Sequence, residues 1–172
     1  NVCSLRPNED KLCHSAVFEM NEDAKVLKYW IGHTIINSDI RYNYEEVQEI
    51  IETGKGKFSE EILLLNKLAR IMREERNKKG SINFKSTEVK FKLDEAGKPL
   101  EVYIKEQKDS NMLIEDFMLL ANKTVAAHIG KATEKNKSPK TFVYRIHDEP
   151  SPEKLANFSE FLGKLGYRIN IT

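Results

Sequence analysis

Asn111-Met-Leu-Ile-Glu-Asp-Phe-Met-Leu-Leu-Ala-Asn-Lys-Thr-Val-Ala-Ala-His128 reads as a helix that is apolar around most of its circumference and still carries Glu115, Asp116 and Asn122. Leu113, Phe117, Leu120 and Thr124 follow one stripe at helical spacing, and Ile114, Met118, Ala121 and Val125 follow the next. About half of its surface is therefore expected to face protein, which makes it the element on which its neighbours pack. Glu115 and Asn122 stand about two turns apart on a further stripe. A carboxylate and an amide presented together at the edge of a core suit a polyhydroxyl ligand such as a ribose, because both accept hydrogen bonds and the amide also donates. The structural alternative is that they cap or bridge neighbouring backbone, as most buried polar groups do.

Working outward from this helix, Val89, Phe91 and Leu93 alternate with Lys90 and Lys92. Leu100, Val102 and Ile104 alternate with Glu101 and Tyr103, and Asp94-Glu-Ala-Gly-Lys98 turns between the two runs. The pattern predicts an antiparallel hairpin with one face buried. Before it, Ser59 is the expected cap of a long helix to about Lys79, with Glu60 and Glu61 at its start and Arg70, Arg73, Arg76, Lys78 and Lys79 toward its end, a polarity that suits the macrodipole. Leu64, Leu65, Leu68, Ile71 and Met72 are its expected buried stripe, Gly80 its stop, and its basic end a solvated surface that can also meet phosphate. A shorter helix over Tyr44–Ile51 has Asn43 as cap and ends at Thr53-Gly54. Val2 to Leu5, Leu12 to Met20 and Val26 to Ile36 read as three antiparallel strands. After the central helix come a lysine-rich loop from Lys131 to Lys140, a strand over Thr141–Ile146, a helix over Pro152–Gly163 and a strand-like Tyr167–Ile171. The expected class is α+β, with antiparallel strands and hairpins packed with helices, and no repeat or composition break divides residues 1–172 into domains.

The 172 residues suffice for one core, and 28 basic against 27 acidic side chains exclude a wholly basic nucleic-acid coat while allowing a local patch. No run approaches the roughly 20 apolar residues of a membrane span, and no leader-like segment opens the chain, so the expected location is the cytoplasm. Cys3 and Cys13 are read as reduced. His14 beside Cys13 suggests a metal, but no CxxC and no second histidine at helical spacing complete a zinc set.

Five segments then resemble one family: Ser4-Leu-Arg-Pro-Asn-Glu-Asp-Lys-Leu12, Arg41-Tyr-Asn-Tyr44, Gly80-Ser-Ile-Asn-Phe84, Leu113-Ile-Glu-Asp-Phe-Met-Leu-Leu-Ala-Asn122 and Tyr144-Arg-Ile-His-Asp-Glu-Pro150. In this order they resemble the middle of the RNB catalytic domain of ribonuclease R and ribonuclease II, processive 3′ to 5′ exoribonucleases that degrade single-stranded RNA to mononucleotides. The resemblance implies that Tyr44 and Glu115 contact the RNA sugar and support selection of RNA over DNA. It also implies that Phe84 stacks on a base. A phenol and a carboxylate both hydrogen-bond a 2′-hydroxyl, and stacking on an aromatic tolerates any sequence. Without the resemblance, Tyr44 is a helix-start residue packing on the sheet, Phe84 a core aromatic and Glu115 a structural acceptor. The chain departs from the family pattern at Asp116, usually Glu, and at Tyr42-Asn43, usually Leu-Thr.

The resemblance also implies that magnesium in the parent enzyme is held by an upstream aspartate cluster and that an arginine-bearing segment lies downstream. No D-x-D or Asp-Asp pair occurs here. Glu115 and Asp116 are the one tempting pair, and adjacent helical residues point about 100° apart, so they do not converge on an ion. His147 is not assigned catalysis, since no nucleophile is placed beside it. The expectation is an excised piece of an exoribonuclease that supplies RNA-contacting walls, with no catalytic residue, no metal ligand and no small-molecule cofactor of its own. Such a piece is inactive alone and has exposed edges prone to artificial self-association. The alternative is a noncatalytic RNA-binding or protein-interaction module. A carboxylate hydrolase using Glu115 is disfavoured, because no second carboxylate has reason to face it.

Overall fold

A computed structural model describes residues 4–81, 88–131, 138–146 and 148–169. The element order is β1(Asp10–Met20), β2(Val26–Asn37), α1(Tyr44–Thr53), α2(Ser59–Lys78), β3(Glu88–Leu93), β4(Pro99–Lys105), α3(Asp109–Gly130) and α4(Pro152–Lys164). This is the α+β class with antiparallel strand pairs that the periodicities predict. No helix among the described residues is long and apolar enough to cross a membrane.

The first hairpin is long and held in register at both ends. β1 pairs β2 antiparallel from Asp10↔Asn37 through His14↔His33 to Met20↔Val26, with an irregularity between Glu19 and Met20. Asn37 donates through Nδ2 to Asp10 Oδ1 at 2.7 Å, while the Ser15 and Thr34 hydroxyls are 2.6 Å apart in mid-hairpin. At the turn the Asn21 side-chain oxygen accepts from the backbone of Asp23 and Lys25, which closes the bend locally. Two strands, not three, form this sheet among the described residues: Ser4–Arg6 are irregular, and only Pro7 makes an isolated bridge, to Ser38. Val2 and Cys3 lie outside the described residues.

The core sits where α1, α2 and α3 meet. Ile50 of α1, Ile62, Leu68 and Ala69 of α2 and Leu113 of α3 are buried. Fully buried Ala69 presents the smallest side chain on α2 that still favours a helix, which suits close helix packing. The buried stripe of α2 differs from the leucine stripe expected. Leu68 is buried and Ile71 and Met72 half-buried as expected, but Leu64 and Leu65 are exposed, and Ile62, Asn66 and Ala69, one helical face, take their place. Ile62 near the start of α2 shares a cleft wall with Ser110 and Leu113, Lys79 just past its end shares another with Leu120 and Lys123, and Arg73 between them reaches both Asp109 and Asp116, so α3 packs against α2.

Helix ends follow the local signals closely. Asn43 caps α1 with a capping box, accepting from Glu46 N at 2.8 Å while Asn43 N donates to the Glu46 carboxylate at 2.7 Å. Gly54 ends α1 in the left-handed region at φ 69°. The cap of α2 is a correction: Phe58, at φ 56°, precedes Ser59, and no side chain bonds the helix start. Gly80 follows α2 at φ 93°, and Ser81 N donates back to Arg76 O at 3.2 Å, the expected stop.

Two further expectations are corrected. β3–β4 forms with the predicted turn, where Asp94 Oδ1 accepts from Ala96 and Lys98 N, yet Val89, Phe91, Leu93, Leu100, Val102 and Ile104 are all exposed. Alternation marks a face that suits burial, but no layer among the described residues covers it. Thr141–Ile146 is not a strand, and neither is the described part of the terminal segment. Without a partner ladder the extended chain has no sheet to join. Lys140 N donates to Ile129 O and the Tyr144 hydroxyl to Ala126 O, so the segment leans on the end of α3. Cys13 carries a free thiol.

Candidate nucleic-acid interface

Tyr44 is the first residue of α1, and its ring is 43% exposed on the wall of a cleft of about 800 Å³. Arg41, Asn43, Glu45 and Val47 continue that wall, and Ile62 and Leu65 of α2 with Ser110, Leu113 and Ile114 of α3 form the others. The unusual Tyr42-Asn43 pair has a local explanation. Tyr42 donates its hydroxyl to Lys57 O at 2.6 Å, pinning the α1–α2 connection, while Asn43 caps α1. Together they fix the direction in which Tyr44 leaves the backbone.

Opposite Tyr44, the start of α3 is tied to α1 by Ser110 N, which donates to Gln48 Oε1 at 3.1 Å. Ser110 is 2% exposed, lines the cleft, and its Oγ has no hydrogen-bond partner among the described residues. Sequence reasoning missed it, because a serine at a helix start reads as a capping residue.

The two carboxylates of α3 have separate roles. Asp116 is 2% exposed and accepts from Arg73 Nε at 2.9 Å and from Arg76 Nη1 at 2.6 Å. Arg73 also approaches Asp109 at 3.6 Å. Arg73 and Arg76, expected to be solvated, are therefore partly buried and locked to α3 by charge-assisted hydrogen bonds, while Arg70, Lys78 and Lys79 are exposed as expected. Glu115 stays at the surface beside them, with a half-exposed side chain 3.8 Å from Arg76 Nη2. Asn122 is likewise exposed two turns on. Tyr44 and Glu115 thus stand on one surface-facing system of helices, but Glu115 is not among the residues lining the Tyr44 cleft. Phe84 and His147 lie outside the described residues.

A second cleft of about 420 Å³ lies at the end of α2, lined by Arg76, Lys79, Gly80, Ser81, Asp116 and Lys123 among others. Its lysines place positive charge beside the point where the chain enters the segment carrying Phe84. Among the described residues no group of three or more histidine, cysteine, aspartate or glutamate side chains is placed to hold a metal ion. Both Asp116 oxygens are occupied by arginines. This donor set does not fit magnesium, a hard cation that wants several converging oxygens.

The RNB domain family matches residues 1–171. DIS3-like exonuclease 2 of Schizosaccharomyces pombe is 36% identical over 183 residues, covering 96% of this chain and 19% of its own. Ribonuclease R of Aquifex aeolicus is 34% identical over 174 residues, covering 98% of this chain and 24% of its own. The solved RNase R of Mycoplasma genitalium, in complex with ribose methylated single-stranded RNA, superposes with a TM-score of 0.82 at 22% identity over 99% of this chain and 27% of that one. The chain thus spans roughly a fifth to a quarter of the length of the relatives it matches.

Proposed function

The chain belongs to the RNB-domain family, and from that membership we propose that residues 1–172 form part of the RNA channel of a metal-dependent 3′ to 5′ exoribonuclease acting on single-stranded RNA. The observation that carries the reading is Tyr44, half-exposed on an open cleft, within a chain matched to the RNB domain from residue 1 to 171. Tyr44 and Glu115 are the groups that hydrogen-bond ribose, because a phenol and an exposed carboxylate both engage a 2′-hydroxyl that DNA lacks. Phe84 supplies base stacking. Lys79 and Lys123 offer charge to the phosphodiester backbone, a contribution that falls with salt. Support for RNA as the partner comes from RNase R, solved in complex with ribose methylated single-stranded and with double-stranded RNA.

Hydrolysis itself is assigned to segments outside these residues. Magnesium belongs to that part of the site, because the Asp116 carboxylate of α3 is committed to two arginines and Glu115 does not converge with it. The cytoplasm is the proposed location.

The test is fluorescence anisotropy of the purified chain with a labelled single-stranded RNA and the DNA of the same sequence. RNA is expected to bind more tightly. Y44F and E115Q should shrink the RNA-to-DNA ratio, whereas F84A should weaken both ligands together. Equal binding of RNA and DNA, or a ratio unmoved by Y44F and E115Q, rejects the assignment. Magnesium-dependent shortening of the RNA by this chain alone would contradict the placement of hydrolysis elsewhere.

A further inference from the structure

His14 of β1 and His33 of β2 are direct cross-strand partners in the register of the long hairpin. Both are exposed, and their rings meet edge to face with centroids 5.1 Å apart and planes inclined at 74°. A ring nitrogen lies about 1.1 Å from an imidazole centroid, so two rings meeting at a tetrahedral ion with bonds of about 2.0–2.1 Å have centroids roughly 5 Å apart. The observed spacing already equals that bite. Turning one ring about its terminal torsion converts the edge contact into two nitrogens converging on one point.

We propose that His14 and His33 form a two-imidazole chelate for a first-row transition-metal ion, clipping β1 to β2. Two independent features prepare the pair. The Ser15–Thr34 hydroxyl contact on the opposite face and the Asn37–Asp10 hydrogen bond near the open end hold the register, so the histidines do not slip apart. Their neighbours on the same face, Leu12 with Ile35 and Ala16 with Ile31, carry no competing donor or charge. Two protein nitrogens leave the remaining coordination positions to water, which makes the site open and exchangeable rather than a closed structural centre. Nitrogen donors favour copper over zinc, and both over magnesium.

Titration calorimetry of the untagged chain with Zn²⁺ and with Cu²⁺, in a buffer that does not bind metal, tests this. One ion per chain is expected, with copper the tighter. H14Q and H33Q should each weaken binding by more than about tenfold, since even loss of an outer-shell partner costs that much. H128Q, on α3, should leave it unchanged. Amide NMR shifts on adding Zn²⁺ should concentrate at residues 12–16 and 31–35, and the spectra of H14Q and H33Q without metal report whether the hairpin is intact. Absence of stoichiometric binding overturns the proposal, as does binding that persists in a folded H14Q/H33Q double variant.

Discussion

Arg76 donates from Nη1 to the buried carboxylate of Asp116 at 2.6 Å, joining residues 40 positions apart in sequence. With Arg73 Nε at 2.9 Å on the other oxygen, one aspartate holds two arginines and so holds α2 against α3. The second nitrogen of Arg76 faces Glu115. The same guanidinium therefore touches a carboxylate committed to packing and one left at the surface, and substitutions at the two positions should separate cleanly.

Asp116→Ala leaves two partly buried guanidinium groups without their acceptor. A loss of about 3–5 kcal/mol in unfolding free energy is expected, read from urea unfolding followed by circular dichroism. A change below about 1 kcal/mol would falsify the role given to this carboxylate.

Glu115→Gln removes an exposed ion pair at 3.8 Å, so its effect on stability should stay within about 0.5 kcal/mol. Its effect on RNA affinity should be larger, roughly tenfold or more, as expected for losing a hydrogen bond to a charged group. If both quantities move together, Glu115 is a packing residue like its neighbour.

Gly32 lies under Trp30, and a Cβ added there would collide with the indole ring. Gly32→Ala should therefore lift Trp30 off the hairpin. Trp30 is the one tryptophan of the chain, so its emission reports the change directly. A red shift on substitution is expected, and an unaltered spectrum would show that the ring is not seated on the glycine.

β3–β4 exposes Val89, Phe91, Val102 and Ile104 together, an apolar face on a two-stranded sheet. Sedimentation velocity should show concentration-dependent self-association of the isolated chain, and Phe91→Lys with Val102→Lys should reduce it. A monomer at all concentrations, before substitution, removes the expectation.

Local signals carried most of the element list. Asn43, Gly54, Gly80 and Asp94 mark boundaries through interactions within a few residues of themselves, so their meaning does not depend on the rest of the chain. Burial was less legible. The leucines of α2 suggested a stripe through Leu64 and Leu65, but the partner surfaces of α1 and α3 chose Ile62, Asn66 and Ala69. The alternating β3–β4 pattern marked a face fit for burial without showing whether this chain supplies the cover. The Arg73–Arg76–Asp116 linkage was invisible for the same reason, since three charges in two distant segments look like solvated surface until the helices meet. His14 and His33 escaped a search at helical spacing because the strand register, not the helix, brings them together. The cleft beside Tyr44 was not legible, because three helices from separate segments form its walls.

Arg73, in the second half of α2, lies 3.6 Å from Asp109 at the start of α3, so the chain that leaves α2 comes back to the same helix before α3 begins. The β3–β4 arm is carried on that excursion. It works as a slack tether: adding or removing a matched pair of residues at the Asp94–Lys98 bend changes how far the arm projects and leaves the spacing of the two helices alone.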